Sequence, residues 1–471
     1  MEWSRLLTPE RMRGVKKKAG SSDLRSEFEK DYHRIIGSAS FRRLQDKTQV
    51  FPLDKSDFIR TRLTHSLEVS SFAKSLGQNI SQRIIKDVQD PAFLPEYQAD
   101  VCDILQCAGL LHDIGNPPFG HFGETVIREW FAENLDQLTF KDAPLSEILT
   151  SQMKADFVNF EGNTQALRVV TKLHYLVDEN GMNLTKALLG TIIKYPVSSV
   201  EIDKKSGDIR TKKMGYYYAE KDVFDSIQAS LGTYGKRHPL AFILEAADDI
   251  AYKTADVEDA VKKGCISYEK LVAELYRAAE GLMDAEGYLS LVRLLEKRLE
   301  QAKGRGMSNP EMNAVQNWMV SVQGKMINYA TDRFIENYAD IMAGSFKGEL
   351  LSGGSVGYLA GILGDLAYRY AFTTSTIYKL EIAAQTNMYF LLERFVGAAI
   401  VYDTDIKLTS VQERLMSLVS DNYKAIYRIY SNGKSEREKL YLRLLLVTDS
   451  ICGMTDSYAK RLYQELSGII A

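Results

Sequence analysis

Histidine is scarce in this chain, with six in 471 residues at positions 33, 65, 112, 121, 174 and 238, so where each one falls carries information. His112 is followed directly by Asp113. The pair sits where an apolar helical pattern ending in Leu110 and Leu111 runs into Gly115, Pro117 and Pro118, which stop a helix. Adjacent side chains at a helix end point about 100° apart, yet a metal ion beyond that end, with bonds of about 2.1 Å, can accept both. On its own the dipeptide reads more simply as a helix-end cation beside a local cap. The reading changes with His65 and the stretch from Leu244 to Asp256. There Asp248, Tyr252 and Asp256 fall four residues apart on one helical stripe, with about 6 Å of rise between neighbours. Ala246, Ala247, Ile250, Ala251 and Ala255 around them are small or apolar, so this helix is expected to be buried and its carboxylates to need a partner. A divalent cation is such a partner. Two imidazoles with two carboxylates suit Mn, Fe, Co, Ni or Zn at least as well as Mg.

These residues need elements to hold them. With 10 Pro in the whole chain and apolar residues recurring at three- and four-residue spacing, the sequence predicts an all-α fold. Amphipathic helices are expected over 27–45, 65–88, 100–114, 164–176, 239–263 and 267–303, with several more between 309 and 466. The exception is 197–218, where apolar and polar residues alternate around Ser206 and Gly207, predicting a small β-hairpin that projects from the helical body. Loops are expected at 304–309 and 352–355. At roughly 150 residues per domain the length allows about three domain equivalents, or one large core with insertions. We divide the chain near 265: a motif-bearing half, 1–265, and a helical half, 266–471, without obvious chemistry, expected to pack on the first, complete its pocket and make oligomer contacts. The 59 Lys and Arg against 62 Asp and Glu leave a net charge of −3, so no overall basic field draws the protein to nucleic acid or lipid. No run approaches the ~18 apolar residues needed to span a bilayer, and the charged start MEWSRLLTPERMRGVKKK lacks the apolar region of a signal peptide, which places the protein in the cytoplasm and off the membrane. Cys102, Cys107, Cys265 and Cys452 show no C-x-x-C spacing and read as small hydrophobes.

Longer strings surround the candidate ligands. His65, His112 with Asp113, and Asp248 match the H…HD…D signature of the HD-domain metal phosphohydrolases. FRRLQDKTQVF (41–51), RTRLTHSLEV (60–69), HDIGNPPFGHFGE (112–124), FEGNTQALR (160–168), EAADDIAY (245–252) and GMTDSYA (453–459) together resemble the deoxyguanosinetriphosphate triphosphohydrolase (dGTPase) family, in order and across nearly the whole chain. The resemblance implies an all-α HD fold that hydrolyses a deoxynucleoside triphosphate, dGTP foremost, to deoxynucleoside and inorganic tripolyphosphate. It implies a divalent metal ion (Mg or Mn, with Co, Ni, Fe or Zn open) held by His65, His112, Asp113 and Asp248, which would activate a water for attack on the α-phosphorus. It implies His121 as general acid to the leaving 5′-oxygen with Glu124 as its partner. It assigns Gln49 and Asp256 to the sugar 3′-hydroxyl, Tyr252 to the deoxyribose face and Arg62 to the α-phosphate. Each of these also reads as ordinary structure: Gln49 as a surface polar residue, Tyr252 as a core aromatic, Arg62 as an ion-pair partner. Asn116, Asn163 and Gln165 lie inside the strings without an assignable role, and His33, His174 and His238 read as structural. The resemblance also admits a second dNTP at an activating site, single-stranded DNA as an effector, and a homo-oligomer, hexamer or tetramer.

Two rivals stand beside this reading. An HD-domain phosphodiesterase or 5′-nucleotidase would share the four ligands and cleave a different bond. A nucleic-acid-binding regulator would draw on the basic run at 11–18, but a short Lys run is usually a solvated arm, and His121 with Glu124 is a catalytically useful pair.

Overall fold

In the computed structural model the chain is described over residues 1–13, 23–48, 60–175, 177–282 and 285–470. The helices used below are α1 (Glu27–Ile36), α2 (Arg62–Arg83), α3 (Tyr97–Leu111), α4 (Gly120–Asn134), α5 (Gly162–Arg168), α6 (Pro239–Lys262), α7 (Tyr268–Ala279), α8 (Glu286–Gly304), α9 (Pro310–Glu336), α10 (Ser375–Ala399), α11 (Glu436–Cys452) and α12 (Asp456–Leu466). Their starts follow from local chemistry. Thr61 and Thr64 cap α2 reciprocally, Ser435 and Glu438 do the same for α11, and the Thr455 hydroxyl caps α12. At α6 the capping acceptor is the imidazole of His238, ahead of Pro239 at the first helical position, where its missing N–H costs nothing. The other ring nitrogen of His238 faces the Leu6 carbonyl at 3.2 Å, which gives this histidine a structural role.

Helices α2, α3 and α6 carry the four candidate ligands, and the crossing of α2 on α3 sets their spacing. It is very close. A Cβ on Gly109 of α3 would stand 2.5 Å from the Ser70 Cα of α2 and 2.6 Å from its nitrogen, so only glycine lets the two backbones meet there. Val69, Ala73, Leu76 and Ile80 of α2 pack into the same interior as Ile104, Leu105, Ala108 and Leu111 of α3. Among the described residues two apolar clusters form the interior, one drawing on residues from Trp3 to Ile426 and the other on residues from Phe119 to Leu462. Both include side chains from each side of position 265.

The all-α expectation holds, with one relocated detail. Residues 197–218 form no strand: the segment runs as turns with a short 3₁₀ stretch, Ile209–Thr211. Its alternation serves a loop laid onto the body, with Ile209, Met214, Tyr216 and Tyr217 buried and the Ile209 N–H given to the Lys347 carbonyl. Apolar spacing of two suits any extended chain with one face on a core. The small hairpin lies elsewhere, β1 (Thr139–Phe140) against β2 (Ala143–Pro144), antiparallel, with Thr139 opposite Pro144. Lys141 and Asp142 between them both have positive φ, 51° and 65°, the geometry of a two-residue hairpin turn. The single helix expected over 267–303 is two, α7 and α8, because Glu280 turns extended after α7.

Candidate metal centre and active site

His65 projects from the first turn of α2, His112 closes the end of α3, Asp113 follows it, and Asp248 stands midway along α6. The fold brings all four together from 183 residues of separation. Ligating atoms of His65, His112 and Asp113 lie within 4.8 Å of one another. Asp248 joins from the facing helix, its Oδ1 3.3 Å from His65 Nε2 and 3.5 Å from His112 Nε2. The two imidazole rings stand 5.2 Å apart, tilted by 69°.

The electrostatics of this cluster call for a cation. His112 donates its Nδ1–H to the Gly109 carbonyl at 2.7 Å, which leaves Nε2 with a lone pair. That Nε2 is buried without a hydrogen-bond partner, 3.5 Å from both Asp113 Oδ2 and Asp248 Oδ1. Burial also holds the His112 pKa below its ordinary value, so the ring is neutral and turns its lone pair toward two carboxylates. Burial would raise both carboxyls, but the positive groups around them together hold both low, Arg62 foremost at Asp113 and Lys194 foremost at Asp248, and both stay ionised. A lone pair set between two carboxylate oxygens is repulsive until a positive ion enters, and the donor set of two nitrogens and two oxygens fits a divalent one. The carboxylates are held from behind. Arg62 Nη1 donates to Asp113 Oδ2 at 2.7 Å, Asn116 Nδ2 donates to Asp113 Oδ1, and Lys194 Nζ reaches Asp248 Oδ2 at 2.9 Å.

Beside the cluster, His121 and Glu124 meet on the first turn of α4. His121 Nδ1 lies 3.0 Å from Glu124 Oε2, and the carboxylate raises the imidazole above its ordinary pKa. The imidazole is 77% exposed while Glu124 is 2% exposed, so the second ring nitrogen faces outward as the carboxylate anchors the first. Burial would raise the Glu124 carboxyl, but His121, Lys213 and Arg128 hold it down at about 2. Glu124 is fixed further by the Gly162 N–H at 2.7 Å and Arg128 at 3.2 Å. The chain enters α4 through Phe119 and Gly120 with φ of 63° and 60°, and a Cβ on Gly120 would stand 2.4 Å from Arg62 Nη2. This tight turn therefore sets His121 next to the arginine that grips Asp113.

Of the remaining candidates, Arg62 is 2% exposed and pairs with Asp113, with its Nε buried and unpartnered. Tyr252 is half-buried on α6, and Asp256, one turn on, is buried and pushed up to about 7 by that burial, in the field of His65, Arg60 and Arg62. Gln49 lies outside the described residues. Asn163 donates to Glu161 at 2.7 Å, and Gln165 belongs to a buried network in which Arg168 grips Asp449 at 2.8 and 2.7 Å and Glu220 at 2.7 Å. Of the basic run, Arg11 is buried on Glu27 and Asp31 and Arg13 pairs with Asp178. Residues 14–22 lie outside the described ones.

Residues 62–156 match the HD domain. The chain is 48% identical to the deoxyguanosinetriphosphate triphosphohydrolase-like protein of Listeria monocytogenes, across 100% of both chains. It is 33% identical to a protein of the same name from Pseudomonas aeruginosa across 99% of both, and 33% identical to the deoxyguanosinetriphosphate triphosphohydrolase of Yersinia enterocolitica across 93% of both. The chain belongs to the deoxyguanosinetriphosphate triphosphohydrolase family. Within this dGTPase-family chain the HD match begins at Arg62 and takes in His65, His112, Asp113, His121 and Glu124, while Asp248 lies beyond it on α6.

Sequence reasoning missed Lys194, the buried ion partner of Asp248. Its signal is visible afterwards: a lone lysine between Ile192, Ile193 and Tyr195 must find a carboxylate if that run is buried. It also missed Lys47. This buried ammonium, lowered to about 8 by burial, donates to the carbonyls of Asn116 and Cys452 and so ties the loop after Asp113 to the end of α11. No helix among the described residues is long and apolar enough to cross a membrane.

Proposed function

We propose that this protein hydrolyses deoxynucleoside triphosphates, dGTP foremost, to deoxynucleoside and inorganic tripolyphosphate. The observation that carries the reading is the pairing of a cation-demanding cluster with a raised, outward-facing imidazole on the turn beside it. His65, His112, Asp113 and Asp248 would hold a divalent ion, Mg or Mn by the resemblance, with Co, Ni, Fe or Zn open. That ion would supply a water activated at neutral pH and would neutralise charge on the phosphate.

The chain's own residues do the rest. Arg62, held on Asp113, supplies positive charge for an α-phosphate oxygen. As the bond from phosphorus to the 5′-oxygen breaks, His121 delivers the proton that oxygen needs, and Glu124 keeps the imidazole charged and aimed until then. Tyr252 packs its ring against the deoxyribose, with Asp256 and Gln49 receiving the 3′-hydroxyl. A 2′-hydroxyl pressed unpaired against that ring would cost roughly 1–3 kcal/mol, about 10–100-fold in kcat/KM. Residues 1–265 act as the catalytic half, and 266–471 brace it and present exposed Tyr378 and Ile382 on α10 for a homo-oligomer.

The test is to incubate the protein with each dNTP and each NTP, singly and in mixtures, with Mg²⁺ or Mn²⁺, and to resolve products by ion-exchange chromatography. Tripolyphosphate from dGTP, well above GTP, is expected. Activity on a single dNTP only when a second is added points to a broad dNTPase with an activating site. Monophosphate or orthophosphate points to another HD-domain nucleotidase or phosphodiesterase and would reject the reading.

A further inference from the structure

One buried carboxylate far outside the HD region reaches the turn that carries His121. Asp456, the first residue of α12, is 1% exposed. Its Oδ1 accepts the Phe119 N–H at 2.9 Å across 337 residues of sequence. Its Oδ2 accepts the Thr48 N–H at 3.0 Å and the Thr48 hydroxyl at 2.7 Å. Both ends of this grip lead to the candidate site. On one side Phe119 is in the left-handed region and has no side chain able to cap α4, so the turn into Gly120 and His121 lacks the usual local cap and is held by Asp456 instead. On the other side Thr48 pairs with Thr61 in an antiparallel bridge, and the Arg62 N–H donates to the Lys47 carbonyl at 2.9 Å. The same carboxylate therefore fixes the backbone before His121 and the backbone pinned to Arg62, and Gly120 and Arg62 touch between them.

We infer that Asp456 is a positioning residue that sets His121 against Arg62, so that the C-terminal helices determine whether the proposed proton donor meets the phosphate gripped by the arginine. The inference rests on the assignment of His121 as general acid. A backbone turn with two left-handed residues has a nearby relaxed alternative, and loss of its anchor displaces His121 without touching a metal ligand. A shift of about 1 Å at a reacting group costs on the order of 10²-fold. Asp456→Asn keeps the shape but turns one oxygen into a donor that faces a donor.

The experiment is a double-mutant cycle in kcat for dGTP hydrolysis with Mn²⁺, comparing the unmutated protein, Asp456→Asn, His121→Ala and both together, with bound Mn²⁺ and melting temperature measured for each. Asp456→Asn should lower kcat about 10- to 100-fold with KM and bound Mn²⁺ nearly unchanged. In the His121→Ala background the same change should cost less than about threefold, because the group it positions is gone. Multiplicative losses, or a fall in bound Mn²⁺ that accounts for the lost activity, would overturn the positioning role while leaving the acid assignment standing. Full kcat in His121→Ala would overturn the acid assignment itself. If Asp456→Asn does not fold, Thr48→Val removes one of its three donors. It should cost about two- to tenfold in kcat, with that loss again absent in the His121→Ala background. A Thr48→Val loss that persists in that background overturns the inference.

Discussion

At the residue scale the cluster is defined by what its atoms lack. His112 Nε2 is buried without a hydrogen-bond partner and faces two carboxylates, so removal of one carboxylate should be felt first as loss of metal. Asp113→Ala is expected to abolish hydrolysis and to lower bound Mn²⁺ measured on the purified protein, and full activity in that variant would remove the site. The proposed acid pair gives a pH prediction with a definite sign. His121 is raised by Glu124, so it stays charged to higher pH than a free imidazole, and activity should fall on the alkaline side as it loses its proton. Glu124→Gln takes away the charge that raises it. The alkaline limb of kcat/KM should then move to lower pH, with kcat down roughly 10–100-fold. A limb that stays in place means another group carries the proton. The four candidate ligands could be singled out because histidine is rare and His-Asp stands at a helix stop. Lys194 and Lys47 were not, since periodicity says which face is buried but not which lysine a distant carboxylate will recruit.

At the element scale the two imidazoles meet because α2 and α3 cross at a glycine. Gly109 both admits the Ser70 backbone and offers the carbonyl that sets the His112 tautomer. Gly109→Ala should destabilise the fold by about 1–3 kcal/mol through overpacking, and should weaken Mn²⁺ binding as His65 and His112 move apart. Thermal melting with and without Mn²⁺ checks this, and an unchanged Mn²⁺-induced rise in melting temperature would show that the crossing does not set the site. The helices were readable from three- and four-residue spacing, and α6 with its Asp248–Tyr252–Asp256 stripe lies where the pattern put it. The segment 197–218 was misread because alternation reports one covered face and not a partner strand. Its backbone instead bonds singly, Gly215 to Val197 and Asp203 to Thr211.

At the scale of the whole molecule the halves on either side of 265 share their interior. Arg168 of α5 and Asp449 of α11 form a buried two-bonded pair across 281 residues, and Lys47 and Asp456 add two more long-range ties to the loops of the candidate site. Asp449→Ala leaves Arg168 short of its partner and should cost about 3–5 kcal/mol, read by chemical denaturation, although no ligand is touched. The C-terminal half looked chemically silent in sequence because its contribution is made of such contacts, whose partners lie hundreds of positions away and follow no local period. The central claim concerns the bond broken, and labelled water tests it most directly. With dGTP, Mn²⁺ and H₂¹⁸O, attack at the α-phosphorus predicts unlabelled deoxyguanosine and tripolyphosphate carrying one ¹⁸O by mass spectrometry. Label in the deoxyguanosine, or dGMP with pyrophosphate as the products, would contradict the account.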